Sequence, residues 1–472
     1  MSRYKAYPEY KDSGIEWLGQ APTHWTTVPI KYMALEKDSL FLDGDWIESK
    51  DLSEDGIRYI TTGNIGEGKY KEQGAGYITE DKFQKLGCTE IFEGDLLISR
   101  LNVPIGRACI VPNLEAKIVT SVDNVIFRPD HQYSKSYLVY LFTSGHYFKH
   151  TENLARGTTM QRISRGLLGN VRIIVPSHEE QIQIANFLDH ETARIDTLIE
   201  KQQQLIKLLK EKRQAVVSHA VTKGLNPNAP VRDSGVEWLG EVPKHWRVMP
   251  LKYIIKAKKG AVKAGPFGSH LKNSDMEGKD IKVISQKNII SKDFEIGESM
   301  ISIDKYRELE VFTIERNDIL VTTRGTIGKT AIYDRDTIAI LHPCVIRIQI
   351  EGSQVYPELV ALIIQESGYA MEQILINSNA TTIEVIYSEN LINTIICVPP
   401  TLSEQKLFLI YIRSKKTYFK GLIKKAESAI ELMQERRTAL ISAAVTGKID
   451  VRNWQPPKAR HSSKKINKEC NA

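Results

Sequence analysis

Two Glu-Gly-Lys tripeptides, Glu67-Gly68-Lys69 and Glu277-Gly278-Lys279, come nearest to a catalytic constellation, the second with Asp275 two residues before it. A metal-dependent nuclease needs carboxylates that converge from strands on a divalent cation and its water. Both tripeptides lie in Gly-rich, turn-like stretches that do not align within the chain's internal repeat, so we read them as coincidence. A base-modifying methyltransferase needs a Pro-Pro-aromatic loop to grip a flipped base. Here Pro399-Pro400 is followed by Thr401, and no Gly-x-x-x-x-Gly-Lys-Ser/Thr phosphate loop occurs. Cys88, Cys109, Cys344, Cys397 and Cys470 are widely spaced without a C-x-x-C pair, which argues against a zinc site or a disulfide framework. His24 and His245 each precede a tryptophan in a repeated Pro-x-His-Trp, where packing the indole is the expected role. The reading is a chain with no catalytic residues and no metal of its own.

The elements that position these residues come twice. "DSGIEWLGQAPTHW" (Asp12 to Trp25) returns as "DSGVEWLGEVPKHW" (Asp233 to Trp246), identical at ten of fourteen positions with an offset of 221. Pro29-Ile30-Lys31-Tyr32 and Pro250-Leu251-Lys252-Tyr253 extend the match, as do "YITTGNI" (Tyr59 to Ile65) and "VISQKNI" (Val283 to Ile289). "GDLLISRLNVPIGRA" (Gly94 to Ala108) aligns with "NDILVTTRGTIGKTA" (Asn317 to Ala331) after one gap, and "GTTMQRI" (Gly157 to Ile163) answers "ATTIEVI" (Ala380 to Ile386). These are apolar, strand-like runs ending in turns. A chain of 472 residues is also too long for one compact core.

Each copy ends in a long helix. Ser177-His178-Glu179-Glu180 and Thr401-Leu402-Ser403-Glu404 follow prolines with the spacing of a reciprocal capping box. Beyond them the positions Ile195, Ile199, Gln202, Ile206, Leu209, Arg213, Val216 and Ala220 run at spacings of 4 and 3. Adding 224 gives a second series, Phe419, Ile423, Ala426, Ile430, Met433, Arg437, Leu440 and Ala444. Gly224 and Gly447 then supply the left-handed residue that ends a helix. A second stripe, Leu198, Leu205, Leu208, Leu422, Ala429 and Leu432, widens the apolar face and leaves surface for a partner. Such a helix is about 60 Å long at 1.5 Å per residue, longer than one domain is wide, so an antiparallel pair linking two domains fits better than two separate core helices. From Glu404 to Ala444 bases outnumber acids nine to four, while acids slightly outnumber bases from Glu179 to Ala220. Attraction between the two is a minor contribution, since exposed ion pairs are weak.

The formal charge is +7, but five Lys/Arg against one Glu in the last 17 residues account for about +4 of it. The body is near neutral, so charge alone gives weak support for a nucleic-acid partner. We expect the basic tail to be disordered. No apolar run reaches membrane-spanning length and the N-terminus has no apolar signal core, so a cytoplasmic location without a membrane partner is expected.

The tandem "DSGxEWLGxxPxHW", the Glu180-Gln181 and Glu404-Gln405 pairs opening the helices, and the Ala-Val-Thr helix ends before Gly224 and Gly447 resemble the specificity subunit of type I restriction-modification enzymes. The resemblance spans nearly the whole chain, and its motifs are specific in combination. It implies an α+β fold: two globular target-recognition domains of mixed sheet plus helices, related by a pseudo-twofold tandem repeat and separated by two long antiparallel coiled-coil helices. The corresponding boundaries are residues 1–176 for the first recognition domain, 177–224 for the central helical region, 225–400 for the second domain, 401–449 for the C-terminal helical region and 450–472 for the tail. It also implies a bipartite double-stranded DNA target with one half read by each domain, and helices acting as a ruler for the spacer. The partners would be two modification subunits, which methylate adenine, and two restriction subunits, which translocate and cleave DNA. S-adenosylmethionine, ATP and magnesium would belong to those partners, with no cofactor on this chain.

Base reading needs Arg, Lys, Asn, Gln, Ser or Thr on loops projecting from a sheet. Candidates are Arg100, Asn102 and Arg107 in the first copy and Arg324, Thr326 and Lys329 in the second, each group following a strand in a glycine-bearing turn. The other recurrent turn adds Arg156, Thr158, Gln161 and Arg162, and Asn379, Thr381 and Thr382. Two other readings stay open: a specificity subunit for a system with nuclease and methyltransferase fused in one partner, and a coiled-coil scaffold whose domains bind protein.

Overall fold

The computed structural model describes residues 4–457 other than 75, 159, 238 and 377–384. The candidates Asn379, Thr381 and Thr382, and the tail from residue 458, lie outside the described residues. The chain divides into two compact units, Met1–Gln202 with Ser428–Ala472, and Gln203–Glu427, so that the division falls inside both long helices.

At the centre of the first unit is a four-stranded antiparallel sheet of Leu40–Asp43 (β1), Leu96–Ser99 (β2), Ala108–Ile110 (β3) and Asn124–Arg128 (β4), in the order β1-β4-β2-β3. Its two central strands carry apolar runs, Leu96–Ile98 and Val125–Phe127, because both of their faces are covered. Leu96, Ile98, Val125 and Phe127 face Tyr137, Leu138 and Phe142 of the helix Lys135–Phe142, while Leu97, Cys109 and Ile126 pack with Ile60, Ile65 and Ile118. The last three belong to a region with a small mixed sheet, in which Ile57–Ile60 runs parallel to Ile118–Thr120 and antiparallel to Gly76–Ile78.

The second unit has the same central order, β5-β8-β6-β7, built from Val262–Ala264 (β5), Ile319–Thr322 (β6), Thr330–Ile332 (β7) and Val345–Ile348 (β8). Its companion sheet has four strands and again one parallel pair, Ile281–Ile284 with Ala339–Leu341. In each unit the strand after the Pro-x-His-Trp motif pairs with the strand before the long helix: Thr26–Pro29 with Arg172–Val175, and Arg247–Pro250 with Ile395–Val398.

The long helices are His178–Lys223 (α1) and Leu402–Val445 (α2). The 4-3 series is the covered face. Every residue of α1 from Ile195 to Ala220 that belongs to the series is buried or half-buried, including Ile199, Ile206, Leu209 and Val216, and so are Phe419, Ile423, Ile430, Met433 and Leu440 of α2. Leu198, Leu205, Leu208 and Leu432 of the second stripe remain exposed. Among the described residues, no single helix is long and apolar enough to cross a membrane.

The repeated motif anchors these helices. The Ser177 and Thr401 hydroxyls accept from the Glu180 and Glu404 amides, at 3.3 and 3.2 Å. The reciprocal half of the expected capping box is not made, because the two carboxylates are committed elsewhere. Glu180 accepts from the Trp25 indole at 3.2 Å, from the Tyr7 hydroxyl at 2.6 Å and lies 2.9 Å from His24 Nε2. Glu404 accepts from the Trp246 indole at 3.0 Å and lies 3.0 Å from His245 Nε2. The next residue is buried in both copies. The Gln181 and Gln405 amides donate to Pro176 O and Pro399 O at 3.0 Å and accept from the Ser134 and Tyr356 amides at 2.7 and 3.0 Å. On the other side of the same tryptophans lie helix ends. Trp25 shares a core with Leu440, Ala444 and Val445, and Trp246 with Val217, Ala220 and Val221. Gly447 and Gly224 end these stretches at φ 75° and 78°.

Candidate nucleic-acid interface

The turns after β2 and β6 are tight because a glycine in each takes a left-handed conformation against a side chain. Gly106 has φ 85°, and a Cβ there would stand 2.7 Å from the Tyr147 hydroxyl; Gly328 has φ 69° and faces Met371. Each turn is joined to a second segment. Asn102 N donates to Gln161 O at 3.1 Å, Ile163 N donates to Arg100 O at 3.0 Å, and in the other unit Ile386 N donates to Thr323 O at 3.0 Å. Arg156 and Arg162 close a hairpin with mutual 2.9 Å backbone bonds. The structure therefore brings the turn 100–107 and the hairpin 156–162 to one end of the first sheet.

Within that cluster the candidates separate by burial. Arg107 is buried, and its guanidinium is spent on backbone: Nε donates to Ile65 O at 2.7 Å, one Nη to Leu101, Asn102 and Pro104 oxygens, and the other to Thr62 O at 2.9 Å. Arg100 is buried too, donating to Ile163 O at 3.3 Å and to Val122 O. Asp43 lies 3.1 Å from Arg100 Nε, an ion pair whose geometry is too poor for a hydrogen bond. Burial lowers the pKa of both guanidiniums, with Asp43 opposing the shift at Arg100. Arg100 and Arg107 thus hold the turns in shape and present no free donor fork to a base edge. Arg162 is exposed but pairs with Asp123 at 2.8 Å. Asn102, Arg156, Thr158 and Gln161 are exposed, and their side chains have no partner among the described residues.

In the second unit, Arg324 lies opposite Val385 as Leu101 lies opposite Arg162, so the position of Arg100 is taken by Thr323. Arg324, Thr326 and Lys329 are all exposed. Here the turn is fixed from outside, by Gln286 Nε2 donating to Thr326 O at 3.1 Å and by the Thr322 hydroxyl donating to the same oxygen at 2.6 Å. Among the described residues, the exposed Lys329 side chain therefore has no partner, where Arg107 is consumed.

Sequence reasoning missed Asn64 and Asn288, the shared asparagines of "TGN" and "QKN". Both are buried. Each accepts from the backbone amide three residues before it, Thr61 or Ser285, and donates to two carbonyls of the following loop, Lys71 and Gln73 or Asp293 and Ile296. Their retention in both copies was the available signal. Among the described residues, no group of three or more His, Cys, Asp and Glu is placed to hold a metal ion.

The architecture is thus two αβ units, each with exposed polar turns at one end of its central sheet and each joined to the long helices. The model of the type I restriction modification DNA specificity domain matches residues 37–208 and 243–431, most of both repeats. The chain belongs to that family: it is a DNA sequence-specificity subunit of the type I restriction-modification class. It is 24% identical over 323 residues, 67% of this chain and 70% of the relative, to the specificity subunit assigned to the type I restriction enzyme MjaX of Methanocaldococcus jannaschii. The MjaVIII specificity subunit of that organism is 24% identical over 307 residues, 63% of this chain and 67% of the relative. A solved chain described under the assembly and conformational transition of a type I restriction-modification system has the same fold, with TM-score 0.65 and 16% identity, covering 91% of this chain and 99% of that one.

Proposed function

We propose that each unit reads one half of a bipartite, asymmetric DNA target and that α1 and α2, paired antiparallel, fix the spacer between the halves. The observation that carries this reading is that both units expose polar side chains at the equivalent end of the central sheet: Asn102 on the first turn and Arg156, Thr158 and Gln161 on the hairpin joined to it in one unit, and Arg324, Thr326 and Lys329 on the equivalent first turn in the other. Asn, Gln and Arg there suit bidentate contact with adenine and guanine edges. The antiparallel pairing is supported by the start of α1 and the end of α2 sharing one core, with Asp196 bonded to Arg437 at 3.0 Å. Two readers about one turn of B-DNA apart, roughly 34 Å, can sit on one face of the duplex.

In this reading the chain chooses the site and performs no chemistry. It recruits two modification and two restriction subunits in the cytoplasm, and these carry S-adenosylmethionine, ATP and magnesium. Mapping modified adenines genome-wide after expression with the methyltransferase partner should yield a two-part motif with a fixed gap. Inserting one helical turn between Gln202 and Leu209 should lengthen the gap and leave both halves unchanged. A contiguous motif, or a gap insensitive to the insertion, would refute the ruler.

A further inference from the structure

Trp46 and Phe267 hold equivalent places in the two units, although the surrounding sequences, "LDGDWIE" and "KAGPFGS", share little besides one glycine. Strand pairing makes the equivalence. β1 ends at Asp43 beside β4 and β5 ends at Ala264 beside β8; the next residue is glycine, whose amide donates at 2.8 Å to Asn124 O or to Val345 O. A Cβ at Gly44 would collide with the carbonyl oxygen of Ser121, and one at Gly265 with that of His342, so each glycine lets the chain pass against the neighbouring turn. Two residues on stands the aromatic ring, 67% exposed at Trp46 and 79% exposed at Phe267.

Neither ring belongs to a core cluster, yet each rises from a fixed backbone. Asp45 N donates to Thr120 O at 2.8 Å and Asp45 O accepts from Val122 N at 2.9 Å. Phe267 O accepts from His270 N at 2.8 Å and from the amide of buried Leu271 at 3.2 Å. Both rings also stand at the end of the sheet that carries the polar turns. The Ser121–Asp123 turn beside Trp46 gives two carbonyls to Arg100 and the Asp123 carboxylate to Arg162. Beside Phe267, Cys344 O accepts from Thr323 N at 3.0 Å, one residue before Arg324. Single exposed aromatics are ordinary on protein surfaces. A matched pair at the same register, kept aromatic while its neighbours diverge and placed next to DNA-reading turns, calls for a shared ligand surface.

We propose that Trp46 and Phe267 are a pair of aromatic DNA contacts, each ring packing against a base of the half-site its own unit reads. Phe267 has no hydrogen-bonding atom in its side chain, so the contact is apolar, with a base face or a thymine methyl. This rests on the DNA-reading role proposed above. The test uses the chain assembled with its methyltransferase partner and a duplex carrying the mapped motif, in comparison with duplexes that have one half scrambled. Trp46→Ala and Phe267→Ala should each weaken binding to the intact motif roughly 5- to 100-fold, the loss expected when a base-stacked aromatic is removed. Trp46→Phe should stay within about threefold of the unaltered complex, since it keeps an aromatic face. Scrambling one half should abolish the effect of one alanine variant and leave that of the other. Subunit assembly and circular dichroism should be unchanged in both. Affinity for the intact motif within twofold of the unaltered complex in both variants, or sensitivity of both to the same half, would overturn this inference alone. An unaltered complex without sequence preference would overturn the DNA-reading role along with it.

Discussion

Removing the Glu180 carboxylate should cost far more than removing its counterpart Glu404, and the difference follows from burial. In the first unit the carboxylate serves two donors that water cannot reach, the indole of Trp25, 1% exposed, and the hydroxyl of Tyr7, 3% exposed. His24 is 42% exposed at its side chain and can rehydrate. An orphaned buried donor costs about 1–3 kcal/mol, so Glu180→Ala should destabilise its unit by about 4 kcal/mol. Glu404→Ala orphans only the Trp246 indole, because His245 is half in solvent, and should cost about 2 kcal/mol. At roughly 2–4 °C per kcal/mol for a unit of this size, the first change lowers the melting transition by about 8–16 °C and the second by about 4–8 °C. Calorimetry resolves these values. A double-mutant cycle of Glu180→Ala with Tyr7→Phe, which deletes one buried donor while keeping its ring, isolates that part of the polar contribution: adding Tyr7→Phe to Glu180→Ala should recover part of the loss. Equal shifts for the two glutamates, or no coupling in the cycle, would refute the account of the helix start as a carboxylate-locked joint.

The two arginine classes should behave oppositely. Arg107→Ala breaks the bonds holding residues 62–65 to 101–104 and should cost about 3 kcal/mol in denaturant unfolding, whereas exposed Arg324→Ala should leave stability within about 0.5 kcal/mol and weaken cognate DNA binding about tenfold or more in a titration. Gly106→Ala should destabilise more than Gly328→Ala by thermal unfolding, since the new methyl meets the buried Tyr147 ring in one case and the adaptable Met371 thioether in the other. Burial holds the His342 imidazole below its ordinary pKa, and its Nδ1 accepts from Cys344 N at 3.2 Å, which requires the neutral ring. Below about pH 6.5 the unfolded chain binds a proton that the folded one refuses. The second unit should therefore lose stability as pH falls through and below that value, and His342→Gln should flatten the loss measured between pH 7.5 and 5.5.

Periodicity made the long helices legible, because a 4-3 series repeated over eight positions in each copy has few other ways to bury itself. The Glu-Gln pairs were visible as recurring residues, but the spacing suggested a reciprocal cap; only the fold puts a tryptophan and a histidine from about 155 residues away within reach of Glu180. Arg100 and Arg107 were misleading for a similar reason. An arginine after a strand, in a glycine turn, carries the same local signature whether its guanidinium points into solvent or into its own scaffold. For Arg107 the choice is made by the carbonyls of Thr62 and Ile65, more than forty residues earlier. Trp46 and Phe267 were hidden in the opposite way, since their equivalence lies in strand register and not in flanking residues.

What the two copies keep and what they vary divide along one physical line. The kept residues, Pro-x-His-Trp, Glu-Gln and the closing glycines, all act where the long helices begin or end, and those contacts must be the same in both units if both are to hold the same helices. At the far rim each unit solves the turn differently: Arg107 reaches across to Thr62 O in one, and Gln286 reaches back to Thr326 O in the other. A buried arginine inside the first turn leaves Asn102 and the neighbouring hairpin to face outward, while an external glutamine clamp in the second leaves Arg324 and Lys329 exposed. The choice of clamp thus sets which side chains a unit can offer to a ligand. On the proposed DNA-reading role of this rim, a change of target specificity has to carry its clamp with it, so transplanting residues 323–329 in place of 100–107 without also installing Gln286 at the position of Thr62 should give a turn that unfolds locally and reads nothing.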